Sequence, residues 1–213
     1  MQAYKDHFSD KEFLISFFGG ILLLTVSLVA QFFIIDYVNS LSTTPVTDII
    51  LSNIRVYDVG GIFVYGSIIL TVLGVFLGLR RLNFMPFAMK SLALFTLIRA
   101  IFVTLTHISP FPTHAVIDLP FFLNNEALSG IFTGNDLFFS GHTGLPFLLA
   151  LIFWEHKTER TIFLSFSILF AIVVLLGHIH YSIDVLSAYF ITFSIFQICK
   201  ILFKKEWGLL QKK

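Results

Sequence analysis

Charge is what this sequence has least of. Asp, Glu, Lys and Arg make up 13% of its residues, about half the roughly 25% of a soluble domain, which excludes an ordinary water-exposed globule. The 14 cationic and 13 anionic side chains leave a net charge of +1, so the basic field on which nucleic-acid binding rests is missing. Cys199 is the single cysteine; it cannot form an intrachain disulfide and carries no information about redox compartment. There is no internal repeat, no low-complexity tract and no long soluble extension at either end.

What is present is apolar. Hydrophobic residues are 56% of the chain, with a mean hydropathy of +0.88. They fall into six runs, Phe13–Ile35, Gly60–Leu79, Pro86–Ile108, Leu137–Trp154, Thr161–Gly177 and Tyr181–Phe203, against the ~20 residues a membrane-spanning helix needs. The first is as long as a full span and lacks a small-residue cleavage site, so it reads as span one rather than a signal peptide. The expectation is an all-α, polytopic membrane protein: a segment 1–12, a six-span catalytic domain 13–203 and a basic tail 204–213. Cytoplasmic segments collect Lys and Arg. With both termini inside, the inner side holds Lys5, Lys11, Arg80, Arg81, Lys90, Lys157, Arg160, Lys200, Lys204, Lys205, Lys212 and Lys213, twelve of the fourteen. Arg55 falls in the first outer loop and Arg99 inside span three. The outer loop from Ser109 to Asp136 has no Lys or Arg and contains "DLPFFL", which suits an interfacial or short amphipathic segment.

Three polar sites remain in or beside the spans, all on the outer side. Arg99 lies thirteen residues beyond Pro86, about 20 Å into the bilayer at ~1.5 Å per residue. A cation at such depth costs ~2.5–3.5 kcal/mol and usually serves a ligand or a pathway, the bland alternative being an internal ion pair. Thr106 and His107, near the same helical face, would line the same cleft. The second site is "FFSGHTG": Ser140 is a good helix N-cap, Gly141 lets a ligand approach the backbone, and with Thr143 they start a helix whose free N–H groups cradle anions. His142 stands at its rim. The third is "GHIHYSIDVLSAYF", where His180 and Asp184 are four apart and stack on one helical face, the carboxylate placed to hold one ring nitrogen and leave the other lone pair outward. His142, His178 and His180 make a poor zinc set: residues two apart diverge on a helix, and no Cys or second carboxylate completes four ligands. No metal and no cofactor is expected.

Together, "DLFFSGHT" and "HIHYSIDVLSAYF" resemble the two signature motifs of the sphingomyelin synthase-related branch of the type-2 phosphatidic acid phosphatase superfamily. The resemblance runs from about Arg99 to Phe190 and includes motif order. It implies a catalytic triad of His142, His180 and Asp184, an acidic position at Asp136, and phosphate contacts from Arg99, Ser140, Gly141 and Thr143. Thr106, His107 and Tyr181 are supporting candidates. Asn135 stands where the pattern has Gly, and the Pro after Thr106, Pro110, falls one residue late. The wider phosphatase pattern is missing two cationic stations: Lys90 and Arg99 are nine apart with no Pro following, and Val173-Val174 occupies the place of a Ser-Arg pair. One cation and a helix N-terminus suit a phosphodiester better than a monoester with nearly two charges.

The expected activity is therefore headgroup transfer from a phospholipid to a lipid alcohol such as ceramide, through a phosphohistidine, with the site facing the periplasmic or lumenal/exoplasmic side. The alternatives are a lipid phosphatase or phospholipase C with water as acceptor, and a transporter or scramblase. The expected partners are lipids, with no nucleic acid. The sequence leaves headgroup, acceptor and oligomeric state open.

Overall fold

The computed structural model describes residues 10–41, 43–120 and 136–211. The first helix, α1 (Lys11–Asn39), starts at Asp10, whose carboxylate accepts the Glu12 N–H at 2.9 Å. Next come α2 (Gly60–Arg80) and a single 3-10 turn, Leu82–Phe84, that runs into α3 (Met85–Thr106), with Pro86 in the first turn where its missing N–H costs nothing. After the undescribed stretch come α4 (Gly141–Ile152), α5 (Lys157–Leu176), α6 (Ser182–Leu202) and α7 (Lys204–Gln211). Among the described residues there is no strand, only an isolated bridge between Thr44 and Ile108. The interfacial segment expected around "DLPFFL" falls mostly on residues 121–135, outside those described.

Five helices, Lys11–Asn39, Gly60–Arg80, Leu82–Thr106, Lys157–Leu176 and Ser182–Leu202, are long and apolar enough to cross a membrane, and the chain is a multi-pass, all-helical membrane protein. The run expected as span four behaves differently. Its helix has 12 residues, about 18 Å at 1.5 Å per residue, short of a hydrocarbon core of about 30 Å. Residues 137–140 are not helical. Irregular backbone at that depth is tolerated only when protein groups satisfy it, and here Arg99 does so by donating to the carbonyls of Asp136 and Phe139.

Helix α3 is the most enclosed span, with 44% of its apolar window buried against 22% for α1 and α2; it packs on α1, α4 and α6. Without a hydrophobic driving force between helices in lipid, close packing must hold them together. Gly144 provides it for α4: a Cβ there would sit 2.8 Å from Thr192 Oγ1 and 3.0 Å from the Phe95 ring.

The bundle has two unlike ends. One gathers the cations: Arg81 pairs with Glu159 at 2.7 Å, Lys205 with Glu12 at 3.3 Å, and buried Glu206 accepts from both Lys90 and Ser16. These last contacts, with Trp207 against Phe87 and Phe196, dock α7 on the bundle, so the segment expected as a basic tail is helical through Gln211. The opposite end holds the loops 40–59 and 107–120 and the starts of α4 and α6.

Candidate active site

Local geometry at the α5–α6 turn places His180. After Gly177 the chain passes through His178 at φ 52, and the Ile179 and His180 amides fold back on the Val174 carbonyl at 2.8 and 3.3 Å. Helix α6 begins only at Ser182, with Tyr181 extended before it. His180 therefore precedes the helix, and the helical-face argument for stacking it on Asp184 does not describe how they meet. The carboxylate of Asp184, in the first turn, reaches back to accept the Tyr181 N–H at 2.9 Å, half of a capping box. In that pose its Oδ2 lies 3.5 Å from His180 Nδ1. Both groups are deeply buried, His180 at 4% exposure and Asp184 at 0%, and His180 Nδ1 and Asp184 Oδ1 make no hydrogen bond. Such atoms, left unsatisfied, cost about 1–3 kcal/mol each.

Helix α4 supplies the second imidazole. Ser140 is its N-cap, accepting the Thr143 N–H at 3.4 Å, while the Ser140 amide donates to the Asp184 carbonyl at 3.1 Å. That bond ties the starts of α4 and α6 together. His142, in the first turn, is half-buried, flanked by Phe63 with centroids at 4.3 Å and by Phe170 at 5.9 Å. The rings of His142 and His180 are 6.5 Å apart, inclined by 52°. Two imidazoles at that separation can flank one phosphorus, one nitrogen on each side.

Arg99, from α3, is 8% exposed. Its Nη1 pairs with Asp136 Oδ2 at 2.6 Å, Nη2 donates to the Asp136 carbonyl at 2.9 Å, and Nε donates to the Phe139 carbonyl at 2.8 Å. The internal ion pair weighed from sequence is thus present. The guanidinium also lies against the start of α4: a Cβ on Gly141 would stand 3.0 Å from Arg99 Nε and 3.2 Å from Cζ. Gly141 is needed there for the close approach.

Residues 133–201 match the family model described as PAP2 superfamily C-terminal. The match supports the PAP2 superfamily; it covers α4, α5 and nearly all of α6, and so includes His142, His180 and Asp184, whereas Arg99 lies outside it. No curated protein and no solved structure matches the chain.

The PAP2-matching segment also contains Ser140 and Thr143, both fully buried; the Thr143 carbonyl accepts from Ser167 Oγ at 2.9 Å. Tyr181 donates its phenol O–H to the Ser109 carbonyl at 2.9 Å and accepts the Val46 N–H at 3.2 Å. Thr106 bonds back to the Phe102 carbonyl at 3.0 Å, and His107 is an exposed left-handed residue capping α3 at φ 40. Among the described residues, no hydrogen bond or ring contact joins either to the two imidazoles. His178 Nδ1 shares a hydrogen bond with Thr113 Oγ1 at 2.7 Å, and among the described residues no group of three His, Cys, Asp or Glu is arranged to hold a metal. Two residues escaped the sequence reading. Gln31 of α1 donates to Asp136 Oδ2 at 3.4 Å; a lone amide in "LVAQFFII" was its signal. Asp48 of the first loop bonds Ser182 at the start of α6, and nothing local announced it.

Proposed function

We propose that the protein is a lipid headgroup phosphotransferase of the PAP2 type whose working groups are His180, His142 and Asp184. The observation that carries this reading is the 6.5 Å separation of the two imidazoles with a carboxylate oxygen 3.5 Å behind one of them. The family match supports lipid phosphatase or phosphotransferase chemistry in general.

In the first step His180 Nε2 attacks the donor phosphorus, forming the N–P bond as the P–O bond to diacylglycerol breaks. Asp184, facing Nδ1, holds the proton there and keeps the Nε2 lone pair available. His142 in its imidazolium form gives its proton to the departing oxygen. In the second step the acceptor hydroxyl gives its proton to the now neutral His142, its oxygen attacks phosphorus, and the P–N bond breaks. N–H groups at the start of α4, after Ser140, with Thr143 beside them, face the anionic phosphoryl oxygens.

Charge favours a phosphodiester donor. The Arg99 cation is offset by Asp136 2.6 Å away, so the cradle offers helix N–H groups and little net positive charge. That matches a phosphodiester of charge near minus one better than a monoester approaching minus two. A lipid alcohol, ceramide being the precedent of the family resembled, completes the transfer. The cations gathered at the opposite end support a site at the non-cytoplasmic face.

The test uses purified protein in mixed micelles of labelled phosphatidylcholine and phosphatidylethanolamine with a fluorescent ceramide. Label should move to the ceramide, and a brief exposure quenched in base should leave an acid-labile phosphoryl adduct on His180. Label released only into water-soluble product, equally with and without ceramide, would replace transfer with hydrolysis. Full turnover by His180→Ala would deny His180 the nucleophile's role, and absence of turnover in the wild-type protein would leave lipid transport as the alternative.

A further inference from the structure

The turn that carries His180 is held from outside by the two outer loops. The Tyr57 amide donates to the Leu176 carbonyl at 2.9 Å and the Ala115 amide to the Gly177 carbonyl at 2.8 Å. Thr113 meets His178, and Tyr181 bridges Val46 and Ser109. The most concentrated contact is Asp48, 7% exposed. Its Oδ1 accepts the Ile50 and Leu51 amides at 2.8 and 3.0 Å, and its Oδ2 accepts the Ser182 amide at 2.7 Å and the Ser182 hydroxyl at 2.8 Å.

Ser182 is the first helical residue of α6, whose N–H has no partner within the helix. An N-cap side chain serves the N2 or N3 amide rather than this one, and here the N-cap is Tyr181, whose hydroxyl is committed to the loops. Asp184 already takes the Tyr181 N–H and has one unsatisfied oxygen. Were Asp48 absent, the donors of Ser182, two residues before Asp184, would be left free to claim that carboxylate, drawing it from His180 Nδ1. We infer that Asp48 is a positioning residue for the reaction: by capping α6 from the first outer loop it reserves Asp184 for His180. This rests on the phosphotransfer reading above and adds to it a residue outside the family match.

Asp48→Asn is close to isosteric but aims an NH2 at one of the two donor pairs, and Ser182→Pro removes both Ser182 donors at a helix position where proline is favoured. Both are assayed in the phospholipid and ceramide micelles beside wild type and His180→Ala. Asp48→Asn should lower kcat about 10²-fold, the scale of an ångström-level misplacement of a catalytic group, with KM for the phospholipid within about twofold, and Asp48→Glu, which restores an acceptor-only side chain, should recover most of it. Ser182→Pro, with no Ser182 donor left to claim Asp184, should keep most of kcat, alone and combined with Asp48→Asn. If Asp48→Asn does not fold, Asp48→Ala decides. Wild-type kcat in a folded Asp48→Asn or Asp48→Ala variant, a change confined to KM, a loss of kcat in Ser182→Pro as large as in Asp48→Asn, or unfolding of both of those Asp48 variants overturns the inference, the last by assigning Asp48 to the fold alone. Loss of activity in His180→Ala with wild-type kcat in the Asp48 variants rejects the positioning role and leaves the reaction standing; full activity in His180→Ala rejects the reaction through His180.

Discussion

Removing Arg99 should damage the fold before it damages the chemistry. Its side chain is 10% exposed, that of Asp136 12%, and deleting one partner of a buried pair costs about 3–5 kcal/mol because the other charge is left uncompensated. Arg99→Met also strips the Asp136 and Phe139 carbonyls of their donors, adding about 1–3 kcal/mol for each buried acceptor left unpaired. Asp136→Asn leaves both of those bonds in place and should cost less. The double variant, apolar at 99 and neutral at 136, should be more stable than the sum of the singles by at least about 2 kcal/mol, a coupling within the range of contacting residues. Equilibrium unfolding in detergent, followed by helical circular dichroism and repeated for the four members of the cycle, measures this. If the singles add, Arg99 is not held by Asp136. If Arg99→Met is as stable as wild type while KM for phospholipid rises, Arg99 is a phosphate ligand that folding does not need, and the account of residues 136–140 given above fails.

Other predictions separate the roles at the site. His142→Ala should lower kcat about 10²–10⁴-fold on phospholipid, the span of general acid–base catalysis, and much less on a p-nitrophenyl phosphodiester, whose leaving group needs no proton; an equal loss on both substrates would deny His142 the acid role. Gly144→Ala drives a methyl to 2.8 Å from Thr192 Oγ1 and 3.0 Å from Phe95, and should cost about 1–3 kcal/mol of stability as overpacking does, read from the same unfolding assay. At the opposite end, burial raises the pKa of Glu206, but hydrogen bonds from Lys90 and Ser16 outweigh it and hold the carboxyl below its ordinary 4.5. A lowered folded-state pKa means stability present above the unfolded value and lost as pH falls through the folded one. Stability should therefore drop below about pH 4.5, and Glu206→Gln should flatten that acid limb; an unchanged limb would place the titrating group elsewhere.

Hydropathy made the long helices legible, because a span needs only an uninterrupted apolar run, and the runs at Gly60 and Tyr181 begin within a residue of the helices Gly60–Arg80 and Ser182–Leu202. It misjudged the run from Leu137 for a physical reason: apolar composition reports burial, not hydrogen bonding, and the carbonyls of Asp136 and Phe139 are satisfied by a side chain from α3 rather than by a helix. The proximity of His180 and Asp184 was legible from their spacing, though by the wrong local geometry. A spacing of four brings two side chains together on a helix, and here the same meeting is made by a capping carboxylate reaching back past the N-cap.

Asp48 was not legible because its partner, Ser182, lies 134 residues away, and a lone Asp in a polar loop has the same local signature whether it caps another helix or faces water. The same holds for Gln31 and Asp136, which are 105 residues apart. What such contacts share is position. Motif residues bring their own backbone geometry, a capping box at α6 and a serine cap at α4, and so survive in short sequence patterns. Beside the Ser140–Asp184 bond, which lies within the matched segment, the groups that brace those motifs come from α1, α3 and the first loop, outside it. The superfamily can therefore be recognised from residues 133–201 alone, but the turn that carries His180 and the start of α4 are also braced by Asp48 and Arg99 from the first half of the chain, contacts that only the tertiary structure exposes.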